Sequence, residues 1–241
     1  MRYMGSKARY AKEILNAINN EIDIFEYSYW IEPLAGGMNM IDKVDSNLIR
    51  VANDNNFHLI EMFKALQQGW QPPDEVLNEE YRYLMTQRHI DQNDLFDNAI
   101  IGFVGFGCSY GGRYFEGYAR GNDNKGNPRN YSLESKRNVL KQIENLKDVY
   151  FNYGDYRDLK IPPNSIVYCD PPYAGTKKYK SDFNHKEFWT WCNNQVQNRH
   201  KLFVSEYDAP EDWECIWEKE VNSSLTTDTG AKKSIERLFT K

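Results

Sequence analysis

The residues best suited to chemistry are Asp170-Pro171-Pro172-Tyr173, which end the apolar run Ser165-Ile166-Val167-Tyr168-Cys169. That run is short and rich in β-branched and aromatic residues, and it reads as a buried strand. Two consecutive prolines remove two amide donors and fix φ twice, so the chain can continue neither as strand nor as helix. The result is a stiff loop presenting a carboxylate, backbone carbonyls and an aromatic ring. In open α/β sheets the carboxyl ends of strands are where ligands bind. Taken alone, the stretch also fits a proline-rich turn with an ordinary capping Asp.

The elements that must position this loop alternate strand and helix. A helix is expected over 6–20, capped by Ser6 and preceded by Tyr3-Met4-Gly5-Ser6-Lys7. A strand over 29–33 leads into Leu34-Ala35-Gly36-Gly37-Met38-Asn39, where paired glycines let the backbone approach a ligand closely. A helix over 38–44 would aim its N-terminal amides at that loop. A second strand, 48–52, ends in Asn53-Asp54-Asn55-Asn56. Asp54 follows Gly37 at close to the roughly 20-residue spacing at which an acidic residue meets ribose hydroxyls in nucleotide-binding βαβ units. The motif G-x-G-x-x-G is missing, which favours a small adenosine-containing cofactor over a nicotinamide or flavin dinucleotide.

Further helices are expected over 57–68, capped by Asn56 or Asn55, over 75–90, over 94–107, from Ser132 to about 147, and over 183–197. Further strands are expected over 149–153 and 201–206, with short ones at 215–217 and 235–239. Asp155 is a second acidic strand end. The composition shifts between 69 and 131, where Ser109 to Asn122 interleaves aromatic residues with Arg and Gly. Such residues suit phosphates and unstacked bases, and equally suit a glycine-rich loop whose rings pack on the protein.

Composition narrows the classes. At 241 residues the chain fits one large domain, or a core domain with an insertion. The four cysteines are scattered without a CxxC pair, which argues against a zinc site and against a disulfide scaffold. No run reaches the roughly 18 apolar residues of a membrane span, and the N-terminal residues lack an apolar signal region, so a cytoplasmic location is expected. The net charge of −5 is not that of a typical nucleic-acid binder. Over 113–141, however, seven basic residues stand against three acidic ones, and the placement of charge matters more than its sum.

Together these motifs resemble the Dam-type DNA adenine-N6 methyltransferases of bacteria and phages. The resemblance runs in order through Tyr3-Met4-Gly5-Ser6-Lys7, Glu32-Pro33-Leu34-Ala35-Gly36-Gly37, Asn53-Asp54-Asn55, Asp170-Pro171-Pro172-Tyr173, Ser205-Glu206-Tyr207 and Glu236-Arg237-Leu238-Phe239. It implies an α/β fold: a Rossmann-like S-adenosylmethionine-dependent methyltransferase sheet, formed by 1–68 and 132–241, with an inserted, mainly helical target-recognition region over 69–131. It implies a pocket for S-adenosyl-L-methionine lined by Tyr3, Lys7, Glu32, Gly36, Gly37, Asp54 and Asp170, with Asp155 as a further candidate. Asp170, Pro171, Pro172 and Tyr173 would be the catalytic set, acting on a flipped adenine in double-stranded DNA. Arg113, Arg120, Lys125 and Arg129 would contact that DNA. A cognate restriction endonuclease is a further partner that the resemblance brings with it; no membrane partner is expected. Cytosine N4, an RNA base or a protein glutamine remain alternative acceptors, as does a DNA-binding module that has lost activity. Asp at the first motif position favours adenine. Covalent attack by Cys169 is disfavoured, since nothing in the sequence activates that thiol.

Overall fold

The computed structural model describes residues 1–90, 94–173, 183–223 and 232–241. Among these residues, seven strands form one sheet: β1 (Tyr29–Glu32), β2 (Ile49–Asp54), β3 (Val149–Tyr153), β4 (Ser165–Cys169), β5 (Lys201–Glu206), β6 (Glu214–Ser223) and β7 (Lys232–Thr240). Their order is β3-β2-β1-β4-β5-β7-β6. The first five run parallel, and β7 lies antiparallel between β5 and β6. The order 3-2-1-4-5 is that of a doubly wound, Rossmann-like sheet, whose strand order reverses between β1 and β4. Register puts the strand ends level there, with Ile31 opposite both Val51 and Val167. Glu32, Asp54 and Asp170 therefore emerge together at the carboxyl end of the sheet.

Among the described residues, six α-helices accompany the strands: α1 (Ala11–Glu21), α2 (Phe57–Gln67), α3 (Asn78–Gln87), α4 (Leu95–Gly107), α5 (Tyr131–Ile143) and α6 (His185–Gln197). Alternation along the strands splits the core. Trp30, Ile166, Tyr168, Phe203 and Leu238 face α1, α2 and α4. Ile31, Val167, Cys169, Leu202, Val204 and Phe239 face α6. Parallel strands covered on both faces need apolar side chains on both, which explains why β4 is buried throughout. Within 69–131, α4 joins the first of these clusters. Its Gly102 lies so close to α2 that an added Cβ would stand 2.1 Å from the His58 carbonyl oxygen. Much of α3 is exposed, and the longest continuous exposed run in that segment is 120–130.

Several expected boundaries move, each for a local reason. The first helix begins at Ala11, not at Ser6, because residues 5–10 turn to carry Lys7 into the protein; Ser6 Oγ accepts only from the Ala8 amide, at 3.2 Å. The expected helix over 38–44 shrinks to a single 3₁₀ turn over Ile41–Lys43, because Met38 sits at φ 58, a left-handed conformation that no helix contains. Asn130, not Ser132, caps α5 by accepting from the Leu133 amide at 2.9 Å; Ser132 instead donates to the Pro73 carbonyl. The two short C-terminal strands are the inner parts of a longer β6–β7 ladder. Asn56 caps α2 as expected.

Candidate active site

The loop between β1 and the 3₁₀ turn is fixed from three sides. Asn53 Nδ2 donates to the Pro33 carbonyl at 2.8 Å, and the Ala35 backbone amide donates to the Asn53 backbone carbonyl at 2.9 Å. From α5, Gln142 Nε2 donates to the carbonyls of Gly37 and Met38 at 3.0 and 2.9 Å. Asp54 completes the frame, its Oδ2 accepting from the Gly36 amide and its Oδ1 from the Asn56 amide, each at 2.9 Å. Burial raises the Asp54 pKa, against these amide hydrogen bonds that favour its charged form. Each carboxylate oxygen carries two acceptor sites, so Asp54 retains capacity for hydroxyl donors.

Gly36, at φ 49, and Gly37 are required by close approach. A Cβ on Gly36 would meet Tyr3 Cε1 at 2.8 Å, and one on Gly37 would meet Tyr3 Cβ at 2.6 Å. The Tyr3 ring lies across both glycines and stacks on Phe106 of α4, with centroids 5.2 Å apart. The aromatic residue of the N-terminal motif is thus held against the glycine loop. Glu32 lies beneath, 2% exposed, accepting from Trp30 Nε1 at 2.9 Å; burial pushes its pKa up to about 8.

Beside this loop, four chain segments converge on one ammonium group. Lys7 Nζ lies 3.0 Å from Asp170 Oδ1, 3.7 Å from Glu236 Oε2 and 4.3 Å from the centroid of the Tyr173 ring. The Tyr173 hydroxyl donates to Glu236 Oε2 at 2.6 Å, and its ring meets Tyr207 edge-on at 4.6 Å. Arg237 in turn donates to the Tyr207 carbonyl. Lys7 is only 6% exposed. Burial lowers its pKa, but Asp170 and Glu236 outweigh that and raise it overall, so it remains an ammonium ion. The Asp170 pKa is raised by burial first, with Lys7 pulling against it and Glu236 adding to it.

The structure brings Tyr3, Lys7, Glu32, Gly36, Gly37, Asp54, Asp170 and Tyr173 to one end of the sheet. Asp155 also stands at a strand end there, but its carboxylate caps the turn over Tyr156–Asp158 and is held by Arg157 at 2.8 and 2.6 Å. Among the described residues no hydrogen bond joins it to Asp54 or to the glycine loop. Of the four basic residues expected on DNA, Arg113 pairs with Glu116 at 3.4 Å and Arg129 pairs with Glu134. Arg120 and Lys125 are exposed on the same stretch. Sequence reasoning assigned no role to Glu236, Gln142 or Phe106. Glu236 alone carried a signal: two residues before Leu238 on one strand, it must share a face with that core residue.

Residues 108–209 match the family model described as D12 class N6 adenine-specific DNA methyltransferase. The match covers 102 of the 241 residues. That segment takes in the stretch after α4, α5, β3, β4 and Asp170 to Tyr173, and it ends just beyond β5. A structural likeness to the crystal structure of SMU.472 complexed with SAH covers 99% of this chain and 53% of that one, at 12% identity and a TM-score of 0.37. This chain thus spans about half the length of that relative. No curated protein sequence matches it. Cys169, buried in β4 within the matched residues, is a core residue.

Proposed function

We propose that the chain transfers a methyl group from S-adenosyl-L-methionine to N6 of an adenine flipped out of double-stranded DNA. The observation that carries this reading is the position of Asp170. Its carboxylate stands at the end of β4, beside the switch point, with the Gly36–Asp54 loop on one side and the Tyr173 ring on the other. The family match supports the adenine acceptor.

The donor set fits the cofactor. A glycine loop packed against the Tyr3 ring and a carboxylate with spare acceptor sites at the end of β2 suit an adenosine-containing cofactor. Tyr3, Gly36 and Gly37 would border the cofactor, Asp54 would accept from its ribose hydroxyls, and Lys7 and Glu32 would lie near its charged end. When bound, the cofactor supplies an electrophilic methyl group on a sulfonium centre.

The protein's task is then to position a poor nucleophile, because the lone pair of adenine N6 is delocalised into the ring. Asp170 and the Pro171 carbonyl accept hydrogen bonds from the amino group and hold it in line with the methyl. Aligned reactants can recover on the order of 7–11 kcal/mol of the barrier. N6 would gain the methyl as the bond from the methyl to the sulfonium sulfur breaks and leaves a neutral thioether, and it would lose one proton to Asp170 and then to solvent. Burial has already raised the Asp170 pKa, so the carboxyl can hold that proton briefly. Tyr173 stacks on the base and offsets an unstacking cost of a few kcal/mol.

Within the 69–131 recognition region, the exposed stretch around Arg120 and Lys125 is the part that meets phosphates. Phosphate contacts set register, and base-edge contacts set sequence preference. Incubation with methyl-labelled cofactor and two duplexes, one of mixed sequence and one free of adenine, tests the reading. Label is expected on N6 of adenine in the first duplex alone. Equal labelling of the adenine-free duplex would sink the adenine assignment.

A further inference from the structure

We propose that Glu236 is a positioning residue that takes over the Lys7 ammonium, so that Asp170 is released to accept from the target amino group. This rests on the proposed methyl transfer and adds a residue to that site. Lys7 Nζ lies 3.0 Å from Asp170 Oδ1, where it competes with the target amino group for that carboxylate. Lys7 also donates to the Gly5 carbonyl at 3.2 Å, but a neutral carbonyl does not balance the charge, so an ammonium that is 6% exposed needs a second anion when it leaves Asp170. The substitute is in place. Glu236 Oε2 is 3.7 Å from Lys7 Nζ, so a small side-chain rotation brings the two into hydrogen-bond contact.

The same Glu236 oxygen accepts from the Tyr173 hydroxyl at 2.6 Å. One carboxylate on β7 therefore ties the stacking ring to the lysine, and exchange of the Lys7 partner is coupled to the placement of the ring. Its backbone is set by the β6–β7 ladder, where Glu236 pairs with Lys219, rather than by the loop that meets the substrate. Asp170 is faced by Lys7 from the N-terminal segment, by Glu236 from β7 and by Glu32 from β1. Tyr168 and Tyr173 face it from its own strand and loop, and Tyr207 at the end of β5 lies beside Lys7. Removing the Glu236 charge therefore tightens the Lys7 hold on Asp170 and favours ionised Asp170.

The test compares Glu236→Gln, Glu236→Asp, Lys7→Gln and the Lys7→Gln/Glu236→Gln pair in the full chain. Each is checked for folding by thermal unfolding and assayed on adenine-containing duplex across pH. Glu236→Gln keeps an oxygen for Tyr173 and loses only the charge. It is expected to lower kcat at least tenfold, to change cofactor Kd less than threefold and to move the acid limb of the kcat profile to lower pH. Glu236→Asp is expected to recover part of kcat, and the double variant to be no slower than Lys7→Gln alone. A folded Glu236→Gln protein with kcat within twofold of wild type and an unmoved acid limb overturns the proposal. So does a double variant that shows the full product of the two single losses. Wild-type protein that leaves adenine unmethylated overturns the parent reading and this one with it, and is recognised before any substitution is compared.

Discussion

Asp54 and Gly36 are joined by a 2.9 Å hydrogen bond from the glycine amide to the Asp54 carboxylate, so the acid at the end of β2 holds the loop that follows β1. One side chain thereby shapes the pocket and remains available to line it. Asp54→Ala should therefore weaken cofactor binding in two ways, through the lost ribose contact and through a looser glycine loop. Hydrogen bonds to charged groups contribute about 1.5–3 kcal/mol each, which corresponds to a loss of about 10- to 100-fold in cofactor affinity. Isothermal titration with S-adenosylmethionine reads this directly. Unchanged affinity would remove Asp54 from the pocket.

Glu32 makes the stability of the cofactor-free protein depend on pH. Its pKa rises from 4.5 to about 8 because the side chain is buried. Between those values the folded state keeps its proton and the unfolded state does not, so stability falls as pH rises. The contribution is fully present below about pH 4.5 and is lost as pH climbs through about 8, a few kcal/mol at most at about 1.4 kcal/mol per pH unit. Glu32→Gln keeps an acceptor for Trp30 Nε1 and removes the titration. Melts at pH 5 and pH 8 should show a smaller pH-dependent fall in Tm for the variant than for wild type. An equal fall in both would contradict a neutral buried Glu32.

The elements that were legible in the sequence are those whose local chemistry dictates them. The β-branched run before Asp170, the glycine pair, and the acidic end of β2 all stand where the spacing predicts. What was not legible arises from distant partners. Lys7 is drawn inward by Asp170 and Glu236, which delays the start of α1 to Ala11, and no local signal announces that ion cluster. Gln142 of α5 holds the glycine loop from across the fold, a role no local pattern announces. Arg113 and Arg129 looked available for phosphates, and each already faces a glutamate.

That last point sharpens the expected DNA contact. Arg120 and Lys125 are exposed without such pairing in the described structure, so they, more than Arg113 and Arg129, should meet phosphates. Each lost phosphate contact reduces the slope of log K against log salt by about 0.9. Arg120→Ala/Lys125→Ala should therefore weaken duplex binding at low salt and lower the slope by about 2. An unchanged slope would remove this stretch from the interface.

The central claim is that the Asp170 carboxylate positions the target amino group, and single-turnover methyl transfer by Asp170→Ala tests it most directly. Lys7 retains Glu236 in this variant, so the fold should persist, which circular dichroism and thermal unfolding verify. With cofactor bound and adenine-containing duplex in excess, the rate of N6 methylation should fall by on the order of 10²–10⁴-fold. A folded, cofactor-binding Asp170→Ala protein that methylates adenine at the wild-type rate would contradict the account.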